Sequence, residues 1–212
     1  MNISTTAATA SEAAAKCWSC SAATTEATSF CAACGLVQPP GQSDHFARLG
    51  LERGFDIDMA SLDRRYFELQ RQLHPDRFAR KTAREKAISQ QQAAALNEAY
   101  ETLKNPLKRA RYLARRLGVD LPGEGRTIDD PDLLMEAMER REALAEATTV
   151  QAVQALASDA NDQRMALRQS LSALFASNDK SGVRAAILRL AYLDKFTEEA
   201  RARRFNLGTA DQ

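Results

Sequence analysis

The sequence predicts an all-α fold: a helical hairpin, then an antiparallel three-helix bundle, with a small tetracysteine zinc-knuckle module in front. Three observations predict it. Aromatic residues make up only 6% of the chain while alanine is abundant, a mix that suits packed helices better than sheets. Apolar residues beyond about position 43 recur at steps of three and four, one face of a 3.6-residue helix. All four cysteines fall between positions 17 and 34, in two pairs.

The 212 residues suit one or two compact domains, and 44% apolar with 27% charged residues is ordinary for a globular core. With 29 basic and 28 acidic residues the net charge is +1, so no whole-molecule field draws the chain to nucleic acid or to an anionic membrane. No apolar run reaches the length of a membrane span. Met1 to Lys16 is rich in Ala, Ser and Thr and has neither the apolar centre of a secretory signal nor the arginines of a mitochondrial presequence. A disordered tail on a cytoplasmic protein is expected, with the mitochondrial matrix as the weaker alternative.

The cysteines read Cys17-Trp18-Ser19-Cys20, then ten residues, then Cys31-Ala32-Ala33-Cys34-Gly35. Two intervening residues let both thiolates of a pair turn onto one ion, and two such knuckles supply the four ligands of tetrahedral zinc. Gly35 suits the tight end of a knuckle. Disulfides would need an export signal, and a redox pair would need a strand–helix setting. The same thiolates also suit an iron–sulfur cluster. With protein filling every position there is no open site for catalysis, so the module is structural or a docking element. Pro39-Pro40-Gly41 ends it.

Ser43 or Asp44 caps a short helix carrying Phe46 and Leu49, broken by Gly50 and Gly54. A second helix over about Ser61 to Leu73 lines up Leu62, Tyr66, Leu69 and Leu73, leaving Arg64, Arg65 and Arg71 toward solvent. It must stop at His74-Pro75-Asp76, because proline disfavours helical geometry in the residue before it. Arg77, Arg80 and Lys81 add charge beside that turn. A long helix follows over about Ala83 to Lys104, with Ile88, Ala95, Ala99 and Leu103 inward. Asn105-Pro106 interrupts it, and a fourth helix with Leu107, Ala110, Ala114 and Leu117 runs to Gly118.

A basic helix, His-Pro-Asp, and a second long helix antiparallel to the first resemble the J-domain. The resemblance implies that His74, Pro75 and Asp76 dock on the nucleotide-binding domain of a DnaK-like chaperone and favour its hydrolysing conformation. Asp76 would accept a charge-assisted bond from a partner arginine, and Arg64, Arg65, Arg71 and Arg77 would meet an acidic patch. J-domains carry no catalytic group of their own.

Leu121-Pro122-Gly123-Glu124-Gly125 is a breaker-rich boundary, and Asp130-Pro131 restarts a helix. Three helices are expected, over about Pro131 to Ala147, Val150 to Ser177 and Gly182 to Phe205, the last entered through Ser181. In the first, Leu133, Ala137 and Leu144 share one arc. Leu134, Met135 and Met138 lie roughly 80° to 180° away and are bordered by Glu139 and Glu142. That second arc is either covered by another part of the chain or is a binding surface. The middle helix turns Val153, Ala157, Ala160, Leu167, Leu171 and Leu174 one way, and the last carries Val183, Ile187 and Leu190.

Leu134 to Leu144 and Leu190-Ala191-Tyr192-Leu193-Asp194-Lys195-Phe196 resemble segments of HscB co-chaperones, and the resemblance to that family covers about Asp44 to Phe205. This implies that Leu134, Met135, Met138, Glu139, Glu142 and Tyr192 touch an iron–sulfur scaffold protein of IscU type, handed to an HscA-type chaperone. The paired cysteines depart from the short bacterial form and resemble the extended N-terminus of mitochondrial members.

A nucleic-acid-binding zinc protein is disfavoured, since the cysteine segment contains no Arg or Lys. An enzyme is disfavoured because His45 and His74 are the only histidines, and no nucleophile–base set can be assembled. The nearest rival is a J-protein serving other clients of a general DnaK-type chaperone. The expected limits are a tail (1–16), the tetracysteine module (17–36), a linker (37–43), the J-domain (44–119), a linker (120–130), the scaffold-binding domain (131–206) and a tail (207–212).

Overall fold

A computed structural model describes residues 15–25, 28–123 and 130–210. Residues 1–14 of the tail expected over 1–16, most of the second linker and residues 211–212 lie outside the described residues. The chain divides into two compact units. One holds the described residues up to Arg53 together with Asp58–Lys104, and the other holds Gly54–Ile57 with the described residues from Asn105 onward.

In the first unit β1 (Ala15–Lys16) pairs antiparallel with β2 (Ala23–Thr24), a ladder too short for sequence patterning to reveal. Ala15 and Lys16, expected within the tail, belong to this ladder. The cysteine module does not stop at residue 36 either: Val37 and Gln38 are buried, and Phe30 bridges to Val37. Helix α1 (His45–Leu49) is capped by Asp44, ends on Gly50 in the left-handed region, and buries Phe46 and Leu49. Helix α2 (Met59–Leu73) starts two residues earlier than expected. Asp58 caps it, its carboxylate accepting from the backbone N–H of Ala60 and Ser61.

Helix α3 (Ala83–Lys104) runs antiparallel to α2, as successive contacts show. Tyr100 donates to Asp63 at 2.8 Å, Tyr66 to Asn97 at 3.0 Å, and Ser89 to the Leu73 carbonyl at 2.8 Å. The rings of Tyr66 and Tyr100 stack at 3.9 Å between centroids. Ile88, Ala99 and Leu103 face inward as the periodicity indicates, but so do Leu96, Tyr100, Ser89 and Gln92. The last two are polar and were not part of the expected stripe. Each is satisfied by a backbone carbonyl, which is what lets a polar side chain sit there.

The second unit opens with α4 (Pro106–Leu117), capped by Asn105 and closed by Gly118 at φ 74°. The sequence groups α4 with the hairpin, yet it packs against α7 (Lys180–Ala210) within this unit. Ala110 and Ala114 are small enough to bring the two backbones close, and both are fully buried. Helices α5 (Pro131–Glu146), α6 (Val150–Ala176) and α7 form the expected three-helix arrangement. Arg164 of α6 meets Asp194 of α7, and Arg140 of α5 meets Asp159 of α6 at 2.8 Å, both antiparallel neighbours. Leu133, Ala137, Leu144, Val153, Ala160, Leu193 and Phe196 form one apolar core. Asp179, rather than Ser181, opens α7: its carboxylate accepts from the Gly182 N–H at 2.9 Å. The helix also continues past Phe205 to Ala210, into the expected tail. No helix among the described residues is long and apolar enough to cross a membrane.

Candidate functional site

The turn after α2 is built by three residues with separate jobs. His74 keeps extended geometry, φ −56° and ψ 130°, as the residue before a proline must. Its Nδ1 accepts from the Asp76 backbone N–H at 3.3 Å, so the imidazole caps the short 3-10 turn Pro75–Phe78 that follows. Phe78, which the sequence reading overlooked, closes that turn and is buried, anchoring it to the hairpin. Ser89 Oγ occupies the final α2 carbonyl directly beneath. The result is a fixed elbow whose Asp76 carboxylate is 91% exposed, 3.6 Å from His74 Nδ1.

The neighbouring cations are exposed too. Arg77 donates to the Arg71 carbonyl at 3.3 Å, which holds its guanidinium beside the elbow. Arg64 donates to Ser61 Oγ at 2.9 Å, and Arg65 makes only a 3.9 Å pair with Glu68. Long surface pairs of that kind hold little energy, so these groups stay available to a partner. Chemically the elbow offers one carboxylate acceptor in a positive surround and no reactive constellation.

The four cysteine sulfurs lie within 4.8 Å of one another and none is in a disulfide. Cys17 Sγ is 3.7 Å from Cys34 Sγ, and Cys20 Sγ is 3.7 Å from Cys31 Sγ. A tetrahedral ion with bonds of about 2.3 Å to sulfur requires edges of about 3.8 Å, so the donor set fits a metal ion. Gly35, at φ 71°, donates to the Cys31 carbonyl at 2.8 Å and closes the second knuckle as its position suggests. The first knuckle closes the same way through Ser21, at φ 59°, donating to the Cys17 carbonyl at 3.0 Å. No glycine marks it in the sequence. The backbone N–H groups of Cys20 and Ser19 pull the Cys17 thiol down to about 6 against the effect of burial, while burial and the neighbouring thiols push Cys34 up to about 12.

On α5 the two arcs separate as the sequence implies. Leu133, Ala137 and Leu144 are buried, while Leu134 is 39%, Met135 63% and Met138 72% exposed. Glu139 and Glu142 are exposed beside them. Within its unit, no other segment among the described residues covers this face. Tyr192 sits deeper than these side chains. It is buried, and its hydroxyl donates to the Ala137 carbonyl at 3.2 Å, so it supports α5 from beneath instead of joining the exposed surface. A buried tyrosine hydroxyl needs a hydrogen-bond partner, and the Ala137 carbonyl supplies it. Glu136 ties α5 to Arg189 of α7, and Arg141 pairs with Glu199 at 3.3 Å.

Comparison with known proteins agrees with both halves of this description. The model of the DnaJ domain matches residues 44–112, and that of the HSCB C-terminal oligomerisation domain matches 129–201. A co-chaperone protein HscB homolog of Paraburkholderia phymatum is 39% identical over 158 residues, covering 73% of this chain and 90% of that protein. Among solved structures, human co-chaperone protein HscB superposes with a TM-score of 0.82 at 30% identity, over 89% of this chain and 98% of its own. Chaperone HscB from Vibrio cholerae gives 0.70 at 30% identity, over 78% and 99%.

Proposed function

The chain belongs to the HscB family of J-domain co-chaperones, and from that premise we propose that it hands an IscU-type iron–sulfur scaffold protein to a DnaK-like, HscA-type chaperone and stimulates that chaperone's ATPase. The observation that carries the reading is the elbow. A rigid turn at the end of two packed helices holds one carboxylate almost wholly in solvent among exposed arginines. A partner arginine meeting Asp76 gains a charge-assisted hydrogen bond without reorganising the turn. Stimulation then needs only that the elbow bind the hydrolysing state of the chaperone better than the resting state, since a ligand shifts an equilibrium by its differential affinity. Arg64, Arg65, Arg71 and Arg77 speed encounter with an acidic surface.

The α5 face supports the second half. Leu134, Met135 and Met138, rimmed by Glu139 and Glu142, offer adaptable apolar area of the kind that takes a protein partner. The tetracysteine set we read as a structural zinc site, in which the ion would cross-link the two knuckles. The work is cytoplasmic in this reading.

Substituting Asp76→Asn tests the proposal. It keeps the size of the side chain and removes its charge, and should abolish ATPase stimulation of a DnaK-type chaperone while leaving the thermal unfolding midpoint unchanged. Stimulation surviving that change refutes the mechanism. A pull-down with the full chain separates the rival client range: recovery of a scaffold with a specialised chaperone supports the reading, and recovery of unfolded polypeptides alone counts against it.

A further inference from the structure

The tetracysteine module is not an appendage of its unit; it is clamped to α3. The ring of Trp18, which lies between two ligand cysteines, sits 4.3 Å beneath the Arg84 guanidinium, and its Nε1 donates to the Val37 carbonyl at 2.7 Å. Buried Gln92 of α3 donates to the Gln38 carbonyl at 2.8 Å, and Gln38 N–H returns to the Ser29 carbonyl at 2.9 Å. These contacts hold the module along the first half of α3. Between them lies a groove of about 410 Å³.

One wall of the groove is Phe30 and Leu36, half-buried side chains of the module, with Val37 behind them. The module between Cys17 and Val37 contributes no cation at all. The opposite wall carries the exposed cations Arg77 and Lys81, with Phe78 at the base. Its one carboxylate, Glu85, is spent: it accepts from Thr82 N–H at 3.0 Å and Thr82 Oγ1 at 2.7 Å. The field in the groove is therefore positive on one side and apolar on the other. Arg77 and Phe78 belong to the same 3-10 turn as Asp76, so the groove opens directly off the elbow.

We propose that this groove extends the chaperone-docking surface, taking an extended acidic and apolar segment of the same DnaK-like chaperone that engages Asp76. A carboxylate of that segment would lie against Arg77 and Lys81, and an apolar side chain would lie on Leu36 and Phe30. The wall exists only while the second knuckle is closed, since Leu36 is fixed by its carbonyl accepting from Cys31 N–H at 2.9 Å. Metal loading of the cysteines thereby sets the strength of chaperone docking. The inference rests on reading the elbow as the chaperone contact.

The test is an ATPase titration of a DnaK-type chaperone with zinc-loaded full chain, comparing wild type, Leu36→Glu, Lys81→Glu and Asp76→Asn. Leu36→Glu and Lys81→Glu should each raise the half-maximal concentration about tenfold, equivalent to about 1.4 kcal/mol, with the plateau retained. Asp76→Asn should remove the plateau itself. Zinc stoichiometry and the emission of Trp18, the only tryptophan in the chain, report whether Leu36→Glu keeps its module folded. If it does not, Lys81→Glu, which lies outside the module, decides. Unshifted half-maxima beside an inactive Asp76→Asn overturn the groove and leave the elbow standing; an active Asp76→Asn overturns the elbow as well. If Leu36→Glu weakens an IscU-type scaffold and not the chaperone, the groove belongs to the scaffold and the proposal fails.

Discussion

The elbow and the α5 face, which we propose as the chaperone and scaffold surfaces, are built on opposite principles. The elbow is three residues of fixed backbone that offer one exposed charge. Its specificity would rest on the position of that charge. The α5 face is a regular helix that offers flexible Met and Leu side chains, with charge only at the rim. Its affinity must come from burying area. The contrast teaches that a chain with net charge +1 can still use electrostatics, provided the charge is sorted locally.

The largest effect should come from the apolar side of this contrast. Leu134→Ser with Met138→Ser removes the two side chains that flank the centre of the face, and scaffold affinity should fall by about two orders of magnitude, roughly 3 kcal/mol. Isothermal titration against an IscU-type scaffold measures this. An unaltered affinity would remove α5 from the comparison altogether.

Salt sharpens the contrast next. Raising ionic strength from about 50 to about 300 mM screens exposed charges, so the half-maximal concentration for ATPase stimulation should rise several-fold while scaffold affinity shifts by less than about twofold. Equal salt slopes for the two partners would show that the surfaces do not differ in kind.

The share of all this that was legible in the sequence follows from the range of each signal. Several local signals are legible in full. The His-Pro-Asp turn, the paired cysteines, Asn105-Pro106 and Asp130-Pro131 each determine their own few residues, and α3 runs over the range its periodicity indicates. The two arcs of α5 were also readable, because a helix converts spacing into direction. What was missed depends on residues far apart. Arg84 over Trp18 and Gln92 on Gln38 join positions more than fifty residues apart, and neither partner is unusual alone. The burial of Tyr192 is likewise decided by Ala137 on another helix. The association of α4 with α7 is invisible for the same reason.

Ser89→Ala addresses why the elbow is rigid. It leaves the buried Leu73 carbonyl without its side-chain partner at the base of the turn. The cost should be about 1–2 kcal/mol, read as a lowered denaturant midpoint, with stimulation of the chaperone weakened in parallel. A midpoint shift with undiminished stimulation would mean the elbow holds its shape without this support, and the contrast between a fixed and an adaptable surface would lose its basis.

The smallest effect is expected at the start of α3, where Thr82 and Glu85 form a reciprocal cap just beyond the elbow. Hydrogen bonds from the Thr82 hydroxyl and then its backbone N–H hold the Glu85 carboxyl below the usual carboxylate range, and nearby Lys81 adds to this against the opposing effect of burial. A depressed folded-state pKa means that the folded chain binds this proton less readily than the unfolded chain. The stabilisation is therefore fully present above the ordinary glutamate pKa of about 4.3 and is lost as pH falls through the lower folded value. Thr82→Ala removes the hydroxyl donor, so it should destabilise the first unit at neutral pH and make its stability less sensitive to acid below about pH 4. Chemical denaturation at pH 7 and near pH 3 measures both limbs. An equal deficit at the two pH values would mean that the threonine hydroxyl acts on the helix end alone and not through the Glu85 carboxylate.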